Sequence, residues 1–139
     1  MLDTARAMSE ESVEVVRRAY EAFVAGGADA AEPFLHPELL WEDRPDLPDA
    51  GVYRGHAGFR TAVGRFYEGF EVLSVSAEQL IDAGKWVVVS HRWQGRGKEG
   101  DVPFETVDWS VFTVENGMIT RRQAFTERTD ALEVAGLSE

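Results

Sequence analysis

The chain has 139 residues, no cysteine and a formal net charge of −11. That length suits one domain, the missing cysteine excludes disulfides and thiolate chemistry, and the acidic balance argues against nucleic acid and anionic membranes, which need clustered Lys and Arg. Hydrophobic residues make up 44% of the chain, enough for a core. No apolar run is long enough for a membrane-spanning helix, and the opening "MLDTARAMSEES" has no hydrophobic signal region. The cytoplasm is the expected compartment.

Residues 1–8 read as a loosely ordered tail and 9–139 as the domain. Ser9 is placed as an N-cap, with Glu10 and Glu11 in the first turn. Val13, Val16, Tyr20, Phe23 and Val24 recur at helical spacing, and Gly26-Gly27 ends that helix. A short second helix is expected over residues 29–35, stopped by His36-Pro37. "ELLWED" reads as a first strand, and "RPDLPDAGVYRG" as a loop with turn chemistry and no periodicity. A third helix follows over about residues 56–70, with Phe59, Val63, Phe66 and Phe70 on one face.

From residue 71 the pattern changes to strands: "EVLSVSAEQLIDAG", "KWVVVSHRWQGRG", "PFETVDWSVFTVE" and "MITRRQAFTE". "RTDALEVAGLSE" closes as a short helix with Gly136 past its last turn. The plan is α+β: three N-terminal helices laid over one face of a curved, mostly antiparallel sheet.

Asp108 stands out in the middle of a strand-forming stretch, because aspartate is depleted in strands and a buried carboxylate costs free energy. Turn chemistry gives a register. Asn116-Gly117 as a two-residue hairpin pairs Glu115 with Met118, which sets Phe112 against Arg121, Ser110 against Gln123, and Asp108 against Phe125. A loop centred near Glu99-Gly100 sets Asp108 opposite His91 and Thr106 opposite Trp93. One sheet face then holds His91, Trp93, Asp108, Phe112, Arg121, Gln123 and Phe125 among valines. Both faces are half apolar, so helices are expected on one and a second subunit on part of the other. A His beside an Asp amid aromatic rings can tune an acid or base near neutral pH. The same pair on a solvated surface would be an ordinary cross-strand contact, stabilising by roughly 0.2–1 kcal/mol.

Several stretches, in this order, carry a likeness to a known family: "VEVVRRAYEAF", "FLHPELLWEDRPD", "VYRGHAGFR", "VENGMI" and "ALEVAGL". Over about residues 9–137 the chain resembles the SnoaL-like branch of the NTF2-like superfamily, whose members are cone-shaped α+β proteins. The resemblance implies a deep pocket between helices and the concave sheet face. It also implies relatives that are polyketide cyclases, ketosteroid isomerases, epoxide hydrolases of the limonene type or dehydratases, alongside non-catalytic binders, and frequent dimers through the outer sheet face. The enzymes generally use a pocket carboxylate as base, with a Tyr, His, Arg or second acid to stabilise an oxyanion or activate water. Asp108 and His91 match strand positions where relatives place such groups. Tyr20 could stand for the isomerase-type tyrosine, and Asp43, sharing a face with Leu39 and Trp41, for the isomerase-type base. The Arg-x-Asp pair of the epoxide hydrolases is absent, since "SHRWQG" carries His91 and Trp93 at that spacing.

Each candidate has a plainer role beside it. Tyr20 can be a core tyrosine, Trp41 core packing, Asp43 a turn cap, and His56 a helix-start residue. Asp46 and Asp49 suit a solvated loop, in which Tyr53 could join a lid. Arg121 could anchor a substrate carboxylate or neutralise an acid. His36, His56 and His91 lack metal-ligand spacing, and no glycine-rich phosphate loop or nucleophile elbow occurs, so no metal and no cofactor are expected.

The expected function is cofactor-free isomerisation or cyclisation of a hydrophobic small molecule in a homodimer, with hydrolysis disfavoured. Asp108 would be the base, or would hold His91 in one tautomer while His91 acts. Tyr20, Tyr53 or Gln123 would hydrogen-bond the enolate oxygen, and Trp41, Phe59, Trp93, Phe112 and Phe125 would form walls. The alternative is a non-catalytic binding or dimerisation domain. A catalytic site predicts His91 and Asp108 within about 3.2 Å of each other, at the base of a cavity of about 300 Å³ or more.

Overall fold

The computed structural model describes residues 2–46 and 50–137, with side chains from residue 10 onward. The expected loop residue Asp49 and the side chain of Ser9 lie outside this description. Helix α1 runs Leu2–Ala31, so it begins before Ser9, the expected N-cap. It is interrupted at Gly27, whose φ of 76° is a left-handed conformation that glycine adopts without steric cost. The interruption expected from the Gly pair is therefore present. Beyond it lie one more helical turn and a 3-10 turn, Glu32–Phe34, where a separate short helix was expected.

Strand β1 spans Leu35–Glu42 and β2 Val52–Arg54. Helix α2 covers Gly55–Tyr67. Strands β3 (Phe70–Ala83), β4 (Trp86–Gly97), β5 (Pro103–Glu115) and β6 (Met118–Phe125) follow, then helix α3 (Arg128–Val134). The six strands form one sheet in the order β2-β1-β6-β5-β4-β3. All neighbours are antiparallel except β1 and β6. The sheet is thus mixed, and β2 is a strand inside what the sequence presents as loop.

The β4–β5 register is the expected one, with His91 opposite Asp108 and Trp93 opposite Thr106. The β5–β6 register starts as expected at Glu115–Met118 but then slips. Val114 pairs with Ile119, Thr113 with Arg121 and Phe112 with Arg122, leaving Thr120 as the extra residue of a bulge. A one-residue slip reverses the faces of everything beyond it. The expected partners Phe112–Arg121, Ser110–Gln123 and Asp108–Phe125 are therefore corrected to Phe112–Arg122, Ser110–Ala124 and Trp109–Phe125.

Two apolar clusters hold the layers together. The larger joins Val16 and Ala19 of α1 and Phe59 of α2 to Leu35, Leu39, Val87, Val89, Phe112, Val114 and Ile119 of the sheet. A fully buried side chain of this kind contributes about 1.5–3 kcal/mol. The smaller cluster packs Ala131 and Leu132 of α3 on Val88 and Val111, with Trp86, Trp109 and Phe125 at its edge. The outer sheet face, where a second subunit was expected, is thus covered at one end by the chain's own last helix.

Candidate active site

Between α1, α2 and the inner sheet face lies a half-open cavity of about 110 Å³. Its walls include Phe23, Trp41, Phe59, Trp93 and Phe112, and its polar groups are Tyr20, Asp43, His91, Asp108 and Arg122. The rings interlock: Trp41 meets Phe59 edge-on at 4.8 Å between centroids, and Tyr20 meets Phe112 edge-on at 5.7 Å.

Each polar group arrives from a different element. His91 and Asp108 face one another because β4 and β5 pair them directly. Tyr20 comes from the apolar stripe of α1, one position after buried Ala19. Asp43 follows the end of β1, where its backbone N–H donates to the Gly51 carbonyl at 3.0 Å and its Oδ2 accepts from the Gly51 N–H at 3.3 Å. Those two bonds close the loop between β1 and β2 and fix the carboxylate at the cavity wall.

His91 and Asp108 are only 2% and 6% exposed. His91 Nδ1 donates to Asp108 Oδ1 at 3.0 Å, and the Trp93 indole N–H donates to the same oxygen at 3.1 Å. On the other side of the imidazole the Tyr20 hydroxyl donates to Nε2. The chain of donors fixes the protonation states. Burial by itself would raise the Asp108 pKa, but the donors His91 and Trp93 and the Arg122 charge outweigh it and hold the carboxyl below its ordinary value. Burial pushes the His91 pKa down, against the pull of Asp108. Burial drives the Tyr20 pKa far up, with Arg122 opposing. The resting site is therefore carboxylate, neutral imidazole with its proton on Nδ1, and intact phenol.

Arg122 is the group the sequence reading missed. The bulge at Thr120 turns it into the cavity, where its Nε donates to Ser110 Oγ at 3.1 Å and its Nη1 to the Glu42 carbonyl at 3.0 Å. Its guanidinium lies 4.4 Å over the Trp41 ring, its β1 neighbour in the parallel ladder. Burial lowers its pKa, opposed by Tyr20, Asp108 and Asp43.

Other expected site residues lie elsewhere. Arg121 is exposed and ion-paired with Glu42. Gln123 and Phe125 are absent from the cavity lining, with Phe125 packed beside the α3 cluster instead. Tyr53 sits on β2, where its hydroxyl accepts from Arg65 at 2.6 Å. His56 Nε2 bonds the Leu35 carbonyl at 2.8 Å and its Nδ1 lies 3.1 Å from Glu32, so it ties α2 to the turn before β1. Among the described residues no cluster of His, Asp or Glu is placed to hold a metal ion, and no helix is long and apolar enough to cross a membrane.

Comparison with curated proteins gives no match. Solved structures give several. A SnoaL-like polyketide cyclase from Jannaschia sp. CCS1 is similar with a TM-score of 0.74 at 22% identity, over 86% of this chain and 88% of that one. An NTF2-like protein from Burkholderia thailandensis E264 gives 0.75 at 25% identity, over 90% and 95%. TerC, co-crystallised with polyporic acid, gives 0.73 at 17% identity, over 91% and 98%. The family model for the SnoaL-like domain matches residues 16–122, from the first buried valine of α1 to the arginine in the cavity. The chain belongs to the SnoaL-like domain family, with the NTF2-like fold.

Proposed function

We propose that the protein is a cofactor-free enzyme, acting in the cytoplasm as a homodimer, that moves a proton on a compact hydrophobic carbonyl compound, as in isomerisation or cyclisation. The observation that carries this reading is the buried Tyr20–His91–Asp108 chain at the cavity wall. Of the two roles open for Asp108, the geometry favours the supporting one. Its carboxylate already accepts two N–H donors and is held below its ordinary pKa, so it is a weak base. It keeps the His91 proton on Nδ1 and would stabilise the imidazolium formed when Nε2 takes a proton. Tyr20 then turns its hydroxyl from Nε2 to the substrate oxygen and donates to the developing enolate. Returning the proton from Nε2 to another carbon completes an isomerisation. Attack of the enolate carbon on a second carbonyl, whose oxygen takes the proton back from Nε2, completes a cyclisation.

Size limits the substrate. The cavity of about 110 Å³ falls short of the volume of about 300 Å³ expected for a catalytic site and lies below the ~300–1,000 Å³ of ordinary ligand pockets. The resting cavity suits a ligand of roughly one ring, and anything larger needs Phe66 and Tyr67 at the cavity edge to move aside. The second reading, a non-catalytic binder, is favoured by one observation: among the described residues every buried side-chain polar atom is satisfied. One measurement separates the two. Cyclohexanone is incubated with the protein in deuterated water, and deuterium at its α-carbon is followed by NMR. Exchange that depends on His91 and Tyr20 supports the enzyme. Saturable binding without exchange supports the binder.

A further inference from the structure

The cavity holds a cation with no ion-pair partner among the described residues. Arg122 makes two hydrogen bonds, to the Ser110 hydroxyl and the Glu42 carbonyl, and both acceptors are neutral. Among the described residues it forms no ion pair, although Arg121 beside it pairs with Glu42. The two carboxylates at the cavity are otherwise engaged, Asp108 by His91 and Trp93, and Asp43 by the Gly51 amide. Their field reaches Arg122, but neither closes on it as a fork-to-fork partner. A guanidinium has five N–H donors in a planar fork, and two are used here. A partly buried charge facing an apolar cavity is costly without a direct partner. A rigid planar cation stacked on Trp41 and pinned by Ser110 is preorganised to receive one.

We propose that the cavity binds a compact aromatic or conjugated organic anion, whose carboxylate or phenolate oxygen lies on Arg122. The flat walls formed by Trp41, Phe59 and Phe112 suit a planar ring. The arginine makes a carbonyl compound that also carries an acid group preferred over a neutral one. This deepens the proposed function by naming a substrate class. It rests on the cavity being a small-molecule site and does not require turnover.

The test compares benzoate with benzamide, two probes of nearly equal shape, by calorimetric titration of the full chain at pH 7 in low salt. Benzoate is expected to bind about tenfold or more tighter than benzamide, the usual advantage of a charge-assisted pair. Arg122→Met should erase that preference, Arg122→Lys should retain part of it, and Arg121→Met, outside the cavity, should leave it whole. Equal binding of the two probes to the wild-type protein, no binding of either, or a preference that survives Arg122→Met would overturn the proposal. The wild-type comparison stands even if Arg122→Met fails to fold. Since deuterium exchange into cyclohexanone is read separately, either reading can fail alone.

Discussion

His91 and Asp108 face each other across β4 and β5 with 3.0 Å between Nδ1 and Oδ1, and Tyr20 closes the far side of the imidazole. A buried pair with a third group on the open nitrogen differs from a surface cross-strand contact, because each end of the imidazole has one defined partner. Asp108→Asn removes the charge that would stabilise an imidazolium but leaves an oxygen to accept from His91 and Trp93. We expect proton exchange to fall by about 10²-fold or more, with stability changed by about 1 kcal/mol. Undiminished exchange in the Asn variant would show that Asp108 has no catalytic role.

Tyr20→Phe keeps the ring against Phe112 and removes the hydroxyl. Stability should fall by about 0.5–1.5 kcal/mol, the net value of one hydrogen bond. Exchange should fall by about 10²-fold if that hydroxyl meets the enolate oxygen. A drop in melting temperature with unchanged exchange would assign Tyr20 to packing.

Acid should destabilise the fold in two stages. His91 has its folded pKa below its unfolded value of about 6.5, so below that pH the unfolded chain binds more protons and stability falls with pH. Asp108, also lowered, adds a second loss as the pH falls below the unfolded carboxylate value of about 3.9 and through its folded pKa. Both signs agree: stability rises with pH and levels off above about 6.5 as far as these two groups decide it. Urea unfolding at pH 7.5 and 5.5 should show the difference, and His91→Gln should reduce it. An identical pH slope in that variant would mean that other groups dominate.

Gly58 lets α2 close onto β2. A Cβ there would meet the Tyr53 carbonyl carbon at 2.9 Å and the Tyr53 Cβ at 3.1 Å. Gly58→Ala must push the helix outward, and with it Phe59 of the cavity wall. A loss of about 1–3 kcal/mol is expected, measured by chemical denaturation. A gain in stability, as helix propensity alone would give, would show that the helix has room to shift.

The sequence made the central hairpin legible because strong β-formers flank glycine turns on both sides of His91 and Asp108, and the helices over it because their apolar stripes are periodic. Arg122 was hidden for a specific reason. Arg121 and Arg122 are adjacent and identical, so face assignment depends wholly on register, and no Gly or Pro marks the bulge at Thr120. Strand β2 was hidden by its three-residue length among turn residues. The side-by-side parallel alignment of β1 and β6 has no local signature, because its backbone ladder joins segments far apart in the sequence with no turn between them.

That parallel pairing also sets when a site can exist. Leu40 and Trp41 lie in register with Arg121 and Arg122, residues near the opposite end of the chain. Tyr20 waits on α1 for a histidine and an aspartate synthesised long after it. As the chain emerges from a ribosome, α1 can lie on β3, β4 and β5, but β1 has no larger sheet to join until β6 is available. A fragment ending before Met118 would expose Leu35, Leu39 and Phe59 to solvent instead of burying them. Non-local pairing of this sort slows folding and lengthens exposure to aggregation. The same closure that brings β1 and β6 together beside one cavity leaves apolar surface of the nascent chain uncovered until β6 has been made.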